Sequence, residues 1–366
     1  MNRDIRMATL QEGFRFFTQY FGTYVPRAYS QKELLNNKIF VNNSFVKSIA
    51  MNGRIDYRCF SENPEEIVEK QCLEYANGYL RQHAPEMALK ALKAAVGQDK
   101  DNDPDLGFIE ALIVVNATGF MIPGISGILG AKHGVGNRET LRFDLNGQGC
   151  FGAIAGVQLA QALLLSNQVN SVATVFTEPM GGMFNPSPDD NSSLLPFLIF
   201  GEGAAAMVFS NEKENSNSIL PRFVFAVSEQ DGRSIDHVSV TQNNASWKIR
   251  IDLKVPDTGL SLVSNSIRRV LEKAGLRNED IQHWIFHTGG KAILEKCQSG
   301  LGLSDEQMKH NFENLRKYGN TQSASVLFSL QELLDARQPC AGDLGLLVAI
   351  GPGMTAGAYL LSWPEN

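Results

Sequence analysis

Apolar positions along this chain gather into short runs separated by Ala-, Leu- and Gln-rich stretches, a pattern that predicts strands interleaved with helices in a layered α/β architecture. Leu112–Asn116 and Val172–Phe176 read as buried strands, and a helix is predicted to begin near Cys150 and run on through Gln158–Leu165. Ala204–Phe209 forms another strand, entered through Phe200-Gly-Glu-Gly203. The polar, turn-rich run from Ser210 to Ser218 follows it and divides residues 1–212 from residues 213–366.

Beyond that run the pattern begins again. Phe223–Val227 and Lys248–Leu253 are strand-like, and Leu260–Ala274 is helical and stops at Gly275, as a C-cap requires. Trp284–Phe286 is a strand that leads straight to His287. Ser304-Asp-Glu-Gln307 has the form of a capping box opening a helix, and Ser323–Ala336 is a helix ending before Pro339. Leu344–Ile350 and Thr355–Trp363 are apolar strands joined by Gly351-Pro-Gly353. The result is a loose two-fold repetition of strand-rich halves with no sequence identity between them.

Composition narrows the picture. A chain of 366 residues with 43% hydrophobic positions can bury a large core as one big domain or two fused halves. Cys59, Cys72, Cys150, Cys297 and Cys340 are odd in number and scattered, with no Cys-x-x-Cys pair, so neither a disulfide framework nor a zinc site is expected. The first residues lack the apolar run of a signal peptide, and no apolar run approaches about 18 residues, so a cytoplasmic protein without a membrane span is expected. A net charge of −6 gives no global attraction to nucleic acid.

Three segments supply candidate chemistry: Asn146-Gly-Gln-Gly-Cys150-Phe-Gly-Ala, Phe286-His287-Thr-Gly-Gly290 and Tyr318-Gly-Asn320-Thr-Gln-Ser-Ala-Ser325. Small residues crowd each reactive side chain and let backbone and substrate come close. A lone cysteine beside Gly and Ala is ordinarily a small buried hydrophobe. Cys150, however, follows Gly147 and Gly149 and precedes a helix, where unpaired N–H groups and the positive dipole end favour a thiolate. His287 is delivered by a strand into a Gly-rich turn at its C-terminal end, where α/β sites collect; His83, His133, His237, His283 and His310 carry no such signal. Gly-Asn is in itself an ordinary turn dipeptide, so Asn320 gains meaning only from the other two.

Together the three suit the making of a carbon–carbon bond from thioesters. A cysteine takes the acyl group at little cost, and loss of carbon dioxide from a malonyl thioester creates the carbanion without a strong base. Asparagine and histidine N–H groups would hold the enolate oxygen. His287 could also keep Cys150 ionised as an ion pair. No metal or redox cofactor is required.

On these motifs the chain resembles the thiolase-fold condensing enzymes and is most similar to the type III polyketide synthases, the chalcone and stilbene synthase relatives. The similarity runs from about Tyr29 to Trp363, strongest in Gly149-Cys150, the run Phe200 to Ala206, His287 to Gly290, Tyr318-Gly-Asn320 with Ser323-Ala-Ser325, and Gly351-Pro352-Gly353. The resemblance implies a five-layered fold of two duplicated halves and an obligate homodimer. It also implies free acyl-CoA and malonyl-CoA as substrates, and a catalytic triad of Cys150, His287 and Asn320. Phe200 matches a phenylalanine between the CoA tunnel and the reaction cavity, and Gly351, Pro352 and Gly353 match the loop that shapes the cavity wall. Ile122 stands where relatives, usually with methionine in plants, send a side chain across the dimer interface. Lys47, Arg54 and Arg58 lie in the segment that binds CoA phosphates in relatives.

Within the family, Tyr29–Leu34 and Arg54–Arg58 are closer to bacterial 3,5-dihydroxyphenylacetyl-CoA synthases than to plant enzymes. The stretch from Glu178 to Asp190 departs from both groups and is expected near the cavity and the interface. A single-round ketoacyl synthase or acyltransferase working with a carrier protein would use the same triad and is the alternative. A silent partner subunit is a third reading, and the presence of Cys150 argues against it.

Overall fold

A computed structural model describes residues 16–35, 43–97, 103–186, 191–212, 219–242, 247–336 and 339–363. Its chain opens with β1 (Phe17–Tyr24), then an antiparallel pair, β2 (Arg27–Ser30) and β3 (Tyr57–Phe60), and the long helix α1 (Leu73–Val96). Next come β4 (Ala111–Val115), β5 (Leu141–Leu145), the helix α2 (Gly152–Leu165), β6 (Ser171–Glu178) and β7 (Gly203–Ser210). One sheet takes the order β1-β7-β6-β4-β5, with β4 parallel to β5 and β6, and β7 antiparallel to β6 and β1.

The second half holds β8 (Arg222–Gln230), a ribbon of β9 (Val238–Gln242) and β10 (Trp247–Ile251), and the helix α3 (Val255–Ala274). It continues with β11 (His283–Phe286), the helices α4 (Lys291–Leu301), α5 (Asp305–Tyr318) and α6 (Ser325–Asp335), and the strands β12 (Leu344–Gly351) and β13 (Thr355–Ser362). Its sheet runs β11-β12-β13-β8, with β11 parallel to β12 and the remaining pairs antiparallel. The arrangement of β4, β6, β7 and β1 is thus repeated by β11, β12, β13 and β8, and the repetition expected from the sequence is one of topology.

Alternation along the strands sorts side chains into layers. On β4, Ile113 and Val115 pack with α2 and α6, whereas Leu112 and Val114 pack with α1. On β12, Leu347 and Ala349 join the α2–α6 side, and Leu346, Val348 and Ile350 join α3, α4 and α5. Two helices therefore lie between two sheets, and further helices cover both outer faces: the five layers αβαβα expected from the resemblance. Strands covered on both faces must be apolar at every position, which is why β4, β7 and β12 read as continuous runs.

Local signals were sound where their chemistry was local. Gly275 closes α3 in the left-handed conformation at φ +70°, and Ser304 with Gln307 forms a capping box at the start of α5. One expectation needs adjusting. The strand predicted at Lys248–Leu253 is β10, but it pairs only with β9 and joins neither main sheet. Of the polar run that divides the halves, residues 213–218 lie outside the described residues, as do residues 187–190 of the stretch beginning at Glu178. Among the described residues, no helix is long and apolar enough to cross a membrane.

Candidate active site

The two central helices carry the site on their N-terminal ends. Cys150 sits in a 3-10 turn, Gly149–Phe151, that runs into α2; Asn320 precedes the turn Gln322–Ala324 that runs into α6. Both helices thus direct unpaired N–H groups and the positive end of a dipole toward the same region. His287 follows β11 directly, and its N–H continues the parallel ladder to Val348 O at 2.8 Å. An isolated bridge ties the halves together here: Gly201 N–H donates to Asn320 O at 3.0 Å, and Asn320 N–H to Ile199 O at 2.9 Å. It sets Phe200 beside Asn320.

The loop after β12 closes over the nucleophile. A Cβ on Gly149 would lie 2.4 Å from Pro352 Cδ, and Gly149 itself stands at φ +52°, so only glycine fits there. Cys150, His287, Asn320, Phe200, Gly351 and Pro352 all border one cavity of about 250 Å³. Cys150 keeps partial exposure onto that space, while His287 and Asn320 are nearly enclosed.

Hydrogen bonds fix the orientation of each group. Gln322 N–H donates to Asn320 Oδ1 at 2.8 Å, which assigns the carboxamide oxygen and leaves Nδ2, 3.4 Å from Gly289 O, as the donor end near the thiol. Gln322 achieves this from φ +52°, a strained conformation for a side-chain-bearing residue. His287 Nδ1 contacts Ser325 Oγ, and that hydroxyl accepts from Thr288 N–H at 3.2 Å. That oxygen can also accept from Nδ1–H, a tautomer that turns the lone pair of Nε2 toward the cavity, where it can take up a proton and then present an N–H.

Electrostatics explain why no group here ionises alone. Burial pushes the Cys150 thiol well up, the carboxyl of Glu178 adds to that, and a backbone N–H and Asn320 work against both. Burial drives His287 down to about 3, partly opposed by the Gln322 carbonyl. Glu178, at the end of β6, accepts from Ala117 N–H at 2.9 Å and from the Ser323 hydroxyl, yet burial still pushes it up to about 8. It therefore carries a proton through much of the neutral range.

Comparison with known proteins finds relatives over most of the chain. Residues 43–212 match the family model for the N-terminal domain of chalcone and stilbene synthases, and residues 271–363 match that for the C-terminal part of 3-oxoacyl-[acyl-carrier-protein] synthase III. A 3,5-dihydroxyphenylacetyl-CoA synthase of Streptomyces toyocaensis is 26% identical over 93% of this chain and 88% of its own. One from Amycolatopsis orientalis is 27% identical over 93% and 92%. Through its N-terminal half the chain is similar to the chalcone and stilbene synthases, and over most of its length to these bacterial enzymes. Its fold is that of the 1,3,6,8-tetrahydroxynaphthalene synthase of Streptomyces coelicolor A3(2), with a TM-score of 0.83 at 22% identity over 95% of this chain and 99% of that one.

The remaining residues singled out in the sequence separate into groups. Gly353 lies just outside the cavity lining at φ +105°, its carbonyl accepting from Gln230 Nε2 at 3.4 Å. Ile122 is 76% exposed beside the equally open Phe120, away from the cavity. Lys47 is exposed on the helix Ser44–Asn52, which packs on the helix leading into Phe200. Arg54 is exposed, 3.4 Å from Glu295 and above the ring of Phe312.

Arg58 is a correction. It is fully buried, with Nε on Gln31 Oε1 at 3.0 Å and its guanidinium beside the stacked rings of Phe60 and Phe197, so it cannot meet a phosphate in solvent. Burial lowers its pKa to about 9. An isolated basic residue is usually solvated, and only the burial of Cys59 and Phe60 beside it on β3 hinted otherwise. Sequence reading also missed Glu178 as a neighbour of the thiol, the roles of Gln322 and Ser325, the strand β9, and the place of the ribbon β9–β10, whose Val238, Val240, Ile249 and Ile251 form much of the cavity wall. Alternation in Val238-Ser-Val-Thr was the available signal for the ribbon. Among the described residues, no group of three or more potential metal ligands occurs.

Proposed function

We propose that this chain is a type III polyketide synthase, which loads an acyl group from a coenzyme A thioester onto Cys150 and extends it with malonyl-CoA. The observation that carries the reading is the convergence of Cys150, His287 and Asn320 on one cavity at the N-terminal ends of two central helices. In loading, the proton of Sγ passes to Nε2 of His287, the sulfur attacks the thioester carbonyl, and the bond to the coenzyme A sulfur breaks; coenzyme A leaves as a thiolate that takes a proton from water, so His287 keeps Nε2–H. Burial penalises a lone thiolate and a lone imidazolium alike, but one proton transfer creates both together and leaves the net charge unchanged.

In extension, the bond from the malonyl Cα to its carboxylate breaks and carbon dioxide leaves. The electron pair becomes an enolate whose oxygen receives Asn320 Nδ2–H and His287 Nε2–H. The enolate carbon attacks the acyl carbonyl on Cys150, the new carbon–carbon bond forms, and the C–S bond breaks to return the thiolate. The product is a 3-oxoacyl-CoA ready for another round. Lys47 and Arg54 are the proposed contacts for coenzyme A phosphates. The apolar surface of Phe120 and Ile122 supports a homodimer, and we assign the enzyme to the cytoplasm.

Incubation with malonyl-CoA, with and without a panel of acyl-CoA starters, followed by product masses, tests the reading. Products lengthened by repeated two-carbon units are expected. Products of one condensation only would overturn iterative synthesis.

A further inference from the structure

We infer that the ribbon β9–β10 is a binding wall for the saturated hydrocarbon tail of the acyl group on Cys150, so that the preferred primer is an aliphatic acyl-CoA of medium length. This rests on the condensing function above and names its substrate class. The ribbon pairs Val240 with Ile249 and Val238 with Ile251. Because strand residues alternate, these four β-branched side chains share one face, while Ser239, Thr241, Lys248 and Arg250 take the other. A two-stranded ribbon outside any larger sheet is marginal in water, so its apolar face needs a partner. Ile249 finds one in the cluster with Phe197 and Phe200. Val238, Val240 and Ile251 remain partly open, Val240 by 41%, and all border the cavity that contains Cys150.

The lining is asymmetric. Among the described residues, its polar side chains are Cys150, His287, Asn320 and Gln322, and no charged side chain takes part. Ile293 and Ile350 extend the aliphatic surface of the ribbon. A primer whose far end carries a carboxylate would lose water against this wall and meet no charged side chain there. A saturated tail loses nothing polar and covers the open valines and isoleucine. A cavity of about 250 Å³, shared with the catalytic groups, limits the tail to medium length.

The test measures kcat/KM for acetyl-, butyryl-, hexanoyl-, octanoyl- and dodecanoyl-CoA as primers with malonyl-CoA as extender. Each added methylene should raise kcat/KM about fourfold until the cavity fills, after which it should fall. Ile251→Phe, which places a ring in the same space, should move the optimum at least two carbons shorter. If the enzyme condenses malonyl-CoA but uses octanoyl-CoA no better than acetyl-CoA, the hydrocarbon site is overturned and the condensing function stands. If Cys150 accepts no acyl group from any coenzyme A ester, both fall.

Discussion

Asn320 owes its orientation to a backbone donor, the N–H of Gln322, and this gives the residue a role distinct from that of the thiol. A carboxamide does not titrate, so its contribution is to hold a developing oxyanion rather than to move a proton. Asn320→Ala should therefore cut release of carbon dioxide from malonyl-CoA by about 10²–10³-fold while Cys150 still accepts one acyl group, read by intact-protein mass. Loss of loading with decarboxylation preserved would reverse that division. For the thiol, ionisation coupled to His287 implies that iodoacetamide alkylation of Cys150 stays fast below pH 7. In His287→Ala the partner is gone and burial alone acts on the sulfur, so alkylation should slow and follow rising pH. Equal rates in the two proteins would remove the ion pair from the mechanism.

At the scale of elements, the nucleophile turn depends on a contact that no single segment displays. Gly149 is needed both for its positive φ and because Pro352, some two hundred residues later in the chain, occupies the space a side chain would take. Gly149→Ala should lower stability by on the order of 1–3 kcal/mol and impair acyl loading, measured by denaturant unfolding and by mass. Wild-type values for both would show that the loop has room to retreat. The strands β4, β6, β7, β12 and β13 and the helices α2, α3 and α6 were legible because their apolar runs or caps are local. α1 was not. Its inward stripe is largely Ala76, Ala84, Ala88, Ala91 and Ala95, small residues with a weak hydrophobic signal, and Pro85 interrupts its interior. Cys150, His287 and Asn320 were legible as motifs on glycine-rich turns. Glu178 was not, since only the fold brings the end of β6 against Ala117 and Ser323, and nothing in Glu178-Pro-Met advertises a buried carboxyl.

For the whole molecule, the site lies where the halves meet, and its buried titratable groups tie function to the pH dependence of folding. Glu178 binds its proton more tightly in the folded chain, at about 8 against an ordinary 4.5, so its stabilising contribution is complete below 4.5 and is lost as pH rises through 8. His287 behaves oppositely: held down to about 3 from 6.5, its contribution is complete above 6.5 and is lost as pH falls toward 3. Between 4.5 and 6.5 the two slopes oppose one another. Between 6.5 and 8 the contribution of the histidine is full and constant, and Glu178 alone should make stability fall with rising pH by at most about 1.4 kcal/mol per pH unit. Glu178→Gln keeps an acceptor for Ala117 N–H and a partner for Ser323 but has no proton to lose, so its unfolding free energy should be flat across that window. The same substitution removes the negative charge that opposes the Cys150 thiolate, so alkylation of Cys150 should accelerate relative to wild type as pH passes 8. Urea titrations at pH 6.5 and pH 8 for both proteins decide the matter: parallel slopes would mean that Glu178 is already ionised in the folded chain, and that the carboxyl beside the nucleophile is a standing charge rather than a proton held in place.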